Sequence, residues 1–411
     1  MTNRLVLKIG GSSLKNDKDY THIAKKIAEQ VRIAEKPIVV VISAKEGETN
    51  RLWEEAGEIY SSKWWQLEYV ALSGEFHSAH TMQEELLSMG LKAKFVSPWD
   101  IDLRVTGKDP ENCTLIGANE ELFKHEVTES SVDVVIIPGY VGIHTTAGAG
   151  KSTPALAALG RNSTDLIAVE IARCYNAPLY FVKSAPTIYA VSPKLVGSPK
   201  KIPHMTYEQA LRFLEYLPQN DQFIMRKAVE LAWKNKVELT FGSLKGLDET
   251  KISASLHEKS GSGFRAMPVK ESVSMVSFEM PADNKTRANL FREFHSRGIR
   301  FNDKIEVRSG GRQHFTLFVD ESMEKSVISI AEHFSVNSEG VEAHAVALIT
   351  LLDTMLDPES HHSSIESEAL EKEDVEIYGT VTSGIIMHIY VARKDVRKAV
   401  KILANKFVLC K

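Results

Sequence analysis

Six short apolar runs rich in β-branched residues punctuate the first part of this chain, each separated from the next by a longer stretch. They are residues 4–8 (RLVLK), 37–43 (PIVVVIS), 92–96 (KAKFV), 132–138 (VDVVIIP), 178–182 (PLYFV) and 236–241 (KVELTF). Runs of this kind fit strands buried on both faces of a parallel sheet. Helical patterning occupies residues 19–34, 65–89, 164–176, 206–213 and 223–235. Such alternation implies βαβ units, with helices on both faces of one sheet. The expected fold class is therefore α/β, a three-layer domain of about 245 residues.

Residues 248–264 are polar and rich in serine and lysine, and read as a connection. Beyond them one pattern occurs twice. Strand 273–278, helix 285–297, strands 305–307 and 314–319 and helix 323–333 are followed by strand 345–351, helix 365–371, strands 375–380 and 385–391 and helix 396–406. Each copy has a β-α-β-β-α order of about 65 residues, so the second part is expected as an α+β pair. The expected division is 1–247, linker 248–264, 265–338 and 339–411.

Composition narrows the function. The 411 residues carry 50 basic and 54 acidic side chains, a net charge of −4, which argues against a nucleic-acid binder with a basic face. No apolar run approaches the roughly 18 residues of a membrane span, and the first residues read as a strand entering a loop rather than as a signal peptide. Three widely spaced cysteines (Cys113, Cys174, Cys410) fit a reducing, cytoplasmic setting and offer no thiol metal site. His361-His362 lacks companions at metal spacing. No metal ligands are expected from the protein itself.

Chemistry is concentrated at the ends of the apolar runs. Lys8-Ile9-Gly10-Gly11-Ser12-Ser13 follows the first run. Glycines there allow backbone N–H groups to approach an anion, and the lysine can neutralise phosphate charge; a tight turn with an exposed lysine would leave the same trace. Ser43, Thr49 and Asn50 follow the second run, where open α/β sheets bind ligands, although turn chemistry explains them equally. Ser73-Gly74-Glu75 places a glycine and a carboxylate inside a helical pattern, where an exposed helical glutamate is the bland alternative. Pro138-Gly139-Tyr140-Val141-Gly142 and Gly160-Arg161-Asn162-Ser163-Thr164-Asp165 follow the fourth. Arg161 suits a carboxylate, while Thr164 or Asp165 could simply cap a helix. Residues 148–153 (GAGKST) imitate a P-loop, but Thr145 stands where its first glycine belongs.

Taken in order, these motifs resemble those of aspartokinases of the amino-acid kinase family that carry tandem ACT domains. KIGGSS is similar to the family's KFGGSS, SAKEGETN to SAxxxxTN, LSGEFHSA to SxGErLSA, IPGYVG to VPGFIG and GRNSTD to GRGGSD. The resemblance implies an amino-acid-kinase domain followed by ferredoxin-like ACT domains that dimerise. It also implies ATP with Mg²⁺ as cofactors and a small amino acid, aspartate, as substrate. Lys8 and Asp165 would be catalytic. Lys8, Gly10, Gly11, Ser12, Ser184, Tyr189 and Gln222 would face the nucleotide, and Ser43, Thr49, Glu75, Arg161 and Thr164 the amino acid. Departures fall on the nucleotide half. The family's TDVDGVYTADP reads KSAPTIYAVSP from Lys183 to Pro193, losing acids at Ser184, Pro186 and Ser192, and Gln222 replaces the lysine of K(V/I)LHP. Three readings follow: an aspartate kinase, a catalytically weak or inactive paralogue acting as a sensing or partner-binding subunit, and a kinase with another acceptor.

Overall fold

The computed structural model of the chain describes residues 3–59, 70–106, 114–129, 131–144, 155–159, 163–183, 187–244, 249–254, 265–337, 340–353 and 368–410. The chain divides into two compact units. Residues 1–188, 201–214 and 222–258 form the first, and residues 189–200, 215–221 and 259–411 the second.

The first unit is built on an eight-stranded sheet. Its strands are β1 (Val6–Ile9), β2 (Ile38–Ile42), β3 (Ala93–Phe95), β4 (Val134–Pro138), β5 (Leu179–Val182), β6 (His204–Thr206), β7 (Leu239–Gly242) and β8 (Thr250–Ser253). The order is β6-β8-β7-β5-β1-β2-β4-β3. Every pairing is parallel except β7 with β8. All six expected runs form strands. The expected connection at 248–264 needs correction, because Thr250–Ser253 completes the sheet between β6 and β7. Its polar TKIS sequence hides a strand whose Thr250 and Ile252 are buried and whose other two residues are half-covered.

Side-chain alternation along the strands sorts the helices into two layers. Leu7, Ile9, Ile38, Val40, Ile42, Val134 and Ile136 share one core with α1 (Asp17–Val31) and α3 (Ser73–Ser88). The alternate residues Val6, Lys8, Val39 and Val41 lie on the other face and are also buried. There α4 (Thr164–Tyr175) packs against β1 and against α6 (Arg226–Asn235), and α4 is buried continuously from Thr164 to Ala172. Helix α1 starts at a capping box, with the Asn16 side chain accepting from Lys18 N–H and Asp19 accepting from Asn16 N–H at 3.0 Å. Such a box stabilises a helix start by about 1 kcal/mol. A helix that the sequence motif disguised as a turn, α2 (Glu48–Ile59), carries Thr49 in its first turn.

A four-stranded sheet, in the order 114–117, 104–106, 141–144, 155–158, was also not anticipated. Glu170 of α4 ties its first strand down. The buried carboxylate accepts from Ala118 N–H at 3.0 Å and from the Arg173 guanidinium at 2.8 and 2.9 Å. Glu170→Leu would leave that amide without its acceptor and the half-covered guanidinium with Glu120 as its remaining carboxylate. We expect a loss of about 2–3 kcal/mol, read as a lower midpoint in urea. A midpoint within error of the parent would contradict this assignment.

The second unit is built on an antiparallel sheet. It comprises β9 (Val269–Pro281), β10 (Phe301–Ser309), β11 (Arg312–Asp320), β12 (Glu342–Asp353), β13 (Ile377–Ser383) and β14 (Ile386–Ala392), in the order β10-β11-β9-β12-β14-β13, with Arg265–Ala266 added beside β12. The two copies of the repeat therefore meet through their first strands. Leu317 and Val319 share a core with Leu290 and Phe294 of α7 (Asn284–Ser296) and with Val327 and Ile330 of α8 (Glu324–Phe334), while Phe318 faces the opposite side with Met275 and Tyr390. A further helix, α9 (Val396–Lys406), follows β14. The fold is a three-layer α/β domain followed by an α+β pair of ferredoxin-like units.

Candidate active site

The site forms where the central parallel strands end. Lys8 is the third residue of β1 and points to the face covered by α4. Its ammonium lies 2.8 Å from Asp165 Oδ1, in the first turn of α4, and both side chains are more than nine-tenths buried. Asp165 Oδ2 accepts a second contact, from Met225 N–H at 3.0 Å, at the residue preceding α6. Asp165 is thus no ordinary helix cap; Ser163 occupies the cap position. Burial alone would push the Asp165 carboxyl up. The charges of Lys8 and Lys183, the Lys8 contact and the Met225 amide outweigh it and hold the group below the usual carboxylate range.

Beyond Lys8 the chain turns through Gly10 and a 3-10 turn, Gly11–Ser13. A Cβ on Gly11 would stand 2.8 Å from the Ala44 carbonyl, so only glycine lets this turn lie against the end of β2. Ser13 Oγ donates to the Val182 carbonyl at 3.1 Å, and Ser43 N–H donates to Ile9 at 2.9 Å. These bonds lock the ends of β5, β1 and β2 together. Ser12 is exposed on the turn and Ser43 is half-buried. Ala44 also touches the first turn of α3, its Cβ lying 3.0 Å from where a Gly74 Cβ would be. That approach places Glu75, which is buried rather than exposed, and half-buried Thr49 of α2 around the same loop. Thr164 packs over Gly139, whose imagined Cβ would fall 2.3 Å from Thr164 Cγ2. Tyr140, next along, is buried with φ of 68°, a left-handed conformation that an aromatic residue rarely adopts.

The expected residues thus divide. Lys8, Gly10, Gly11, Ser12, Ser43, Thr49, Glu75, Thr164 and Asp165 gather around the ends of the central strands through the contacts above. Arg161 and Ser184 lie outside the described residues, as do the GAGKST segment, Trp64-Trp65 and His361-His362. Tyr189 is half-buried and belongs to the second unit. Gln222 is exposed, and its amide donates to the Leu214 carbonyl at 3.4 Å. One residue was missed. Lys183 directly follows β5 and lies within electrostatic reach of both Lys8 and Asp165. Burial first, and then the neighbouring Lys8, push its ammonium down to about 8, against the opposing pull of Asp165. A lysine placed directly after a buried apolar strand was the available signal.

Two lysines, a glycine turn and the positive end of α4 suit the phosphates of a nucleotide. Among the described residues no group of three or more His, Cys, Asp or Glu side chains could cage a metal ion. Mg²⁺ commonly binds chiefly through nucleotide phosphates and water, so this donor set remains compatible with a phosphate-borne ion.

Comparison with known proteins agrees with this architecture. The profile of the amino acid kinase family matches residues 3–239. An aspartokinase of Helicobacter pylori is 24% identical over 418 residues, covering 97% of this chain and 98% of that protein. One from Pseudomonas aeruginosa is 23% identical, covering 98% and 97%. Among solved structures, the aspartate kinase of Clostridium acetobutylicum superimposes with a TM-score of 0.74 at 18% identity, covering 99% of each chain. Aspartokinase III of E. coli in complex with aspartate and ADP gives 0.68 at 16%, covering 98% and 99%. At these identities the structural likeness speaks for the fold.

Proposed function

We propose, from the premise that this chain belongs to the amino acid kinase family, that it transfers the γ-phosphoryl group of ATP to the β-carboxylate of L-aspartate. The product is 4-phospho-L-aspartate, with ADP leaving. The observation that carries this reading is the buried Lys8–Asp165 pair beside the Gly10-Gly11 turn. The full-length similarity to aspartokinases supports the choice of acceptor.

The chemistry needs little from the protein beyond placement. A β-carboxylate has a reference pKa near 4, so it is already ionised and no general base is required. One carboxylate oxygen forms a bond to the γ-phosphorus as the bond to the β,γ-bridging oxygen breaks, and that oxygen departs on ADP. The difficulty is bringing two anions together in line. Lys8 answers it by facing the transferring group, held in place by Asp165. The N-terminus of α4 adds its positive end. Mg²⁺, carried on the phosphates, would supply further charge neutralisation. Thr49, Glu75, Thr164 and Arg161 form the amino-acid side of the pocket in this reading, with Arg161 clamping the α-carboxylate. Gly10, Gly11, Ser12, Ser184, Tyr189 and Gln222 belong to the nucleotide side. The division into a kinase domain over 1–247, extended by the strand at 250–253, and ACT domains over 265–338 and 339–411, dimerisation through the latter, and a cytoplasmic setting belong to the same proposal.

The test is hydroxamate formation with aspartate, ATP and Mg²⁺, run alongside a panel of other amino acids. Product with aspartate is expected. Product only with another acceptor would replace the substrate, and no product with any would leave a sensing or partner-binding subunit as the better reading.

A further inference from the structure

Lys183 is a cation that the fold itself does not need. It follows Val182, which is in register with Ile9 of β1, so it leaves the sheet at the level of Gly10. Its backbone is fixed by donation to the Gly242 carbonyl at 2.9 Å. Among the described residues its ammonium has no hydrogen-bond or ion-pair partner of its own. The nearby carboxylate, Asp165, is already engaged by Lys8 and by Met225 N–H. Two lysines against one aspartate leave the cluster one positive charge in excess. Burying like charges together is costly unless an anion arrives to relieve it. A ligand anion at this cluster would supply that relief.

The segment that lost its lysine leads to the same carboxylate. Gln222 stands where the resembling family keeps a lysine, and three residues later Met225 N–H reaches Asp165. We propose that Lys183 binds the terminal phosphate of the nucleotide, so that the cation missing at 222 is supplied from the end of β5. This rests on the phosphoryl-transfer reading above and names a residue that deepens it.

The test compares the full chain with Lys183→Met and Lys183→Arg. Calorimetric titration with the Mg²⁺ complex of the non-hydrolysable ATP analogue AMP-PNP should show affinity falling at least about ten-fold in Lys183→Met, with a smaller loss in Lys183→Arg. The KM for the amino-acid acceptor should move less than about three-fold, since uniform binding of that substrate is untouched. Because the free ammonium titrates at about 8, wild-type affinity for AMP-PNP should weaken as pH rises from 7 to 9, and Lys183→Met should lack that dependence. Without nucleotide, Lys183→Met should melt at or above the parent temperature, because a repelled cation has been removed. A lysine with only a structural role would give a lower one. Unchanged AMP-PNP affinity in Lys183→Met overturns the inference even if the wild type phosphorylates aspartate. Lost affinity in the variant, with a wild type that phosphorylates nothing, keeps the inference and sinks the proposed activity. A wild type that binds no AMP-PNP overturns the inference directly.

Discussion

Lys8→Met is expected to slow phosphoryl transfer at least about a hundred-fold, the usual cost of removing one group aimed at charge developing in a transition state. The fall should appear in kcat as well as in kcat/KM, because the ammonium matters most when negative charge is spread over the transferring oxygens. Stability should suffer too. Asp165 and Lys8 are both buried, and removing one partner of such a pair costs up to about 3 kcal/mol, less the compensation that Lys183 and the Met225 amide still give Asp165. The pH dependence should change as well. In the parent, the Asp165 carboxyl is held below its unfolded value, so its contribution to stability is present above that value and lost as pH falls through the lower, folded one. Without Lys8, only the charge of Lys183 and the Met225 amide oppose burial, so the folded value should rise and this contribution should shrink. The double variant Lys8→Met, Asp165→Asn should recover much of the lost stability and none of the activity. Denaturant midpoints measured between pH 4 and 8 decide the matter. Equal midpoints for the single variant and the parent across that range would contradict the pairing.

That pair was within reach of sequence reasoning for a definite physical reason. A lysine two residues before paired glycines, and an aspartate at the start of a helix, are both fixed by local chain geometry. The central strands were legible on the same grounds, since IVVVI and VVIIP can be buried on both faces only in the middle of a sheet. What escaped was decided by contacts distant in sequence. Arg104–Thr106 and Thr250–Ser253 are three and four residues long and mostly polar, and they are strands because a neighbouring strand completes them. Helix α2 was hidden by a Thr-Asn pair that reads as a turn, although Leu52 and Ala56 carry the i, i+4 spacing of an apolar face. Lys183 was overlooked because the segment drew notice for the acids it lacks. Its meaning depends on Lys8 and Asp165, brought beside it by the β1–β5 pairing.

Gly139→Ala should cost nearly as much as loss of Lys8, though the added methyl group carries no charge. The backbone at Gly139 is not in the left-handed region, so alanine can adopt its dihedral angles and any penalty must be steric. That penalty is severe. The new Cβ would stand 2.3 Å from Thr164 Cγ2, 2.4 Å from its Oγ1 and 2.7 Å from its Cβ. Gly139 cannot retreat easily, since its N–H donates to the Ile42 carbonyl at 2.8 Å at the end of β2. The yielding element must be the first turn of α4, which carries Asp165 and through it the position of Lys8. Overpacking of this kind costs about 1–3 kcal/mol. A displacement of about 1 Å at aligned reactants costs on the order of a hundred-fold in rate. Both effects should be read in one protein, by denaturant midpoint and by kcat. A second change separates steric displacement from general damage: Gly139→Ala with Thr164→Gly removes all three clashing atoms. Part of the activity should return, less the about 1 kcal/mol that glycine costs in a helix. Full activity in Gly139→Ala alone would mean that the first turn of α4 does not set the geometry of the Lys8–Asp165 pair, and the mechanism would then have to place the phosphoryl group elsewhere.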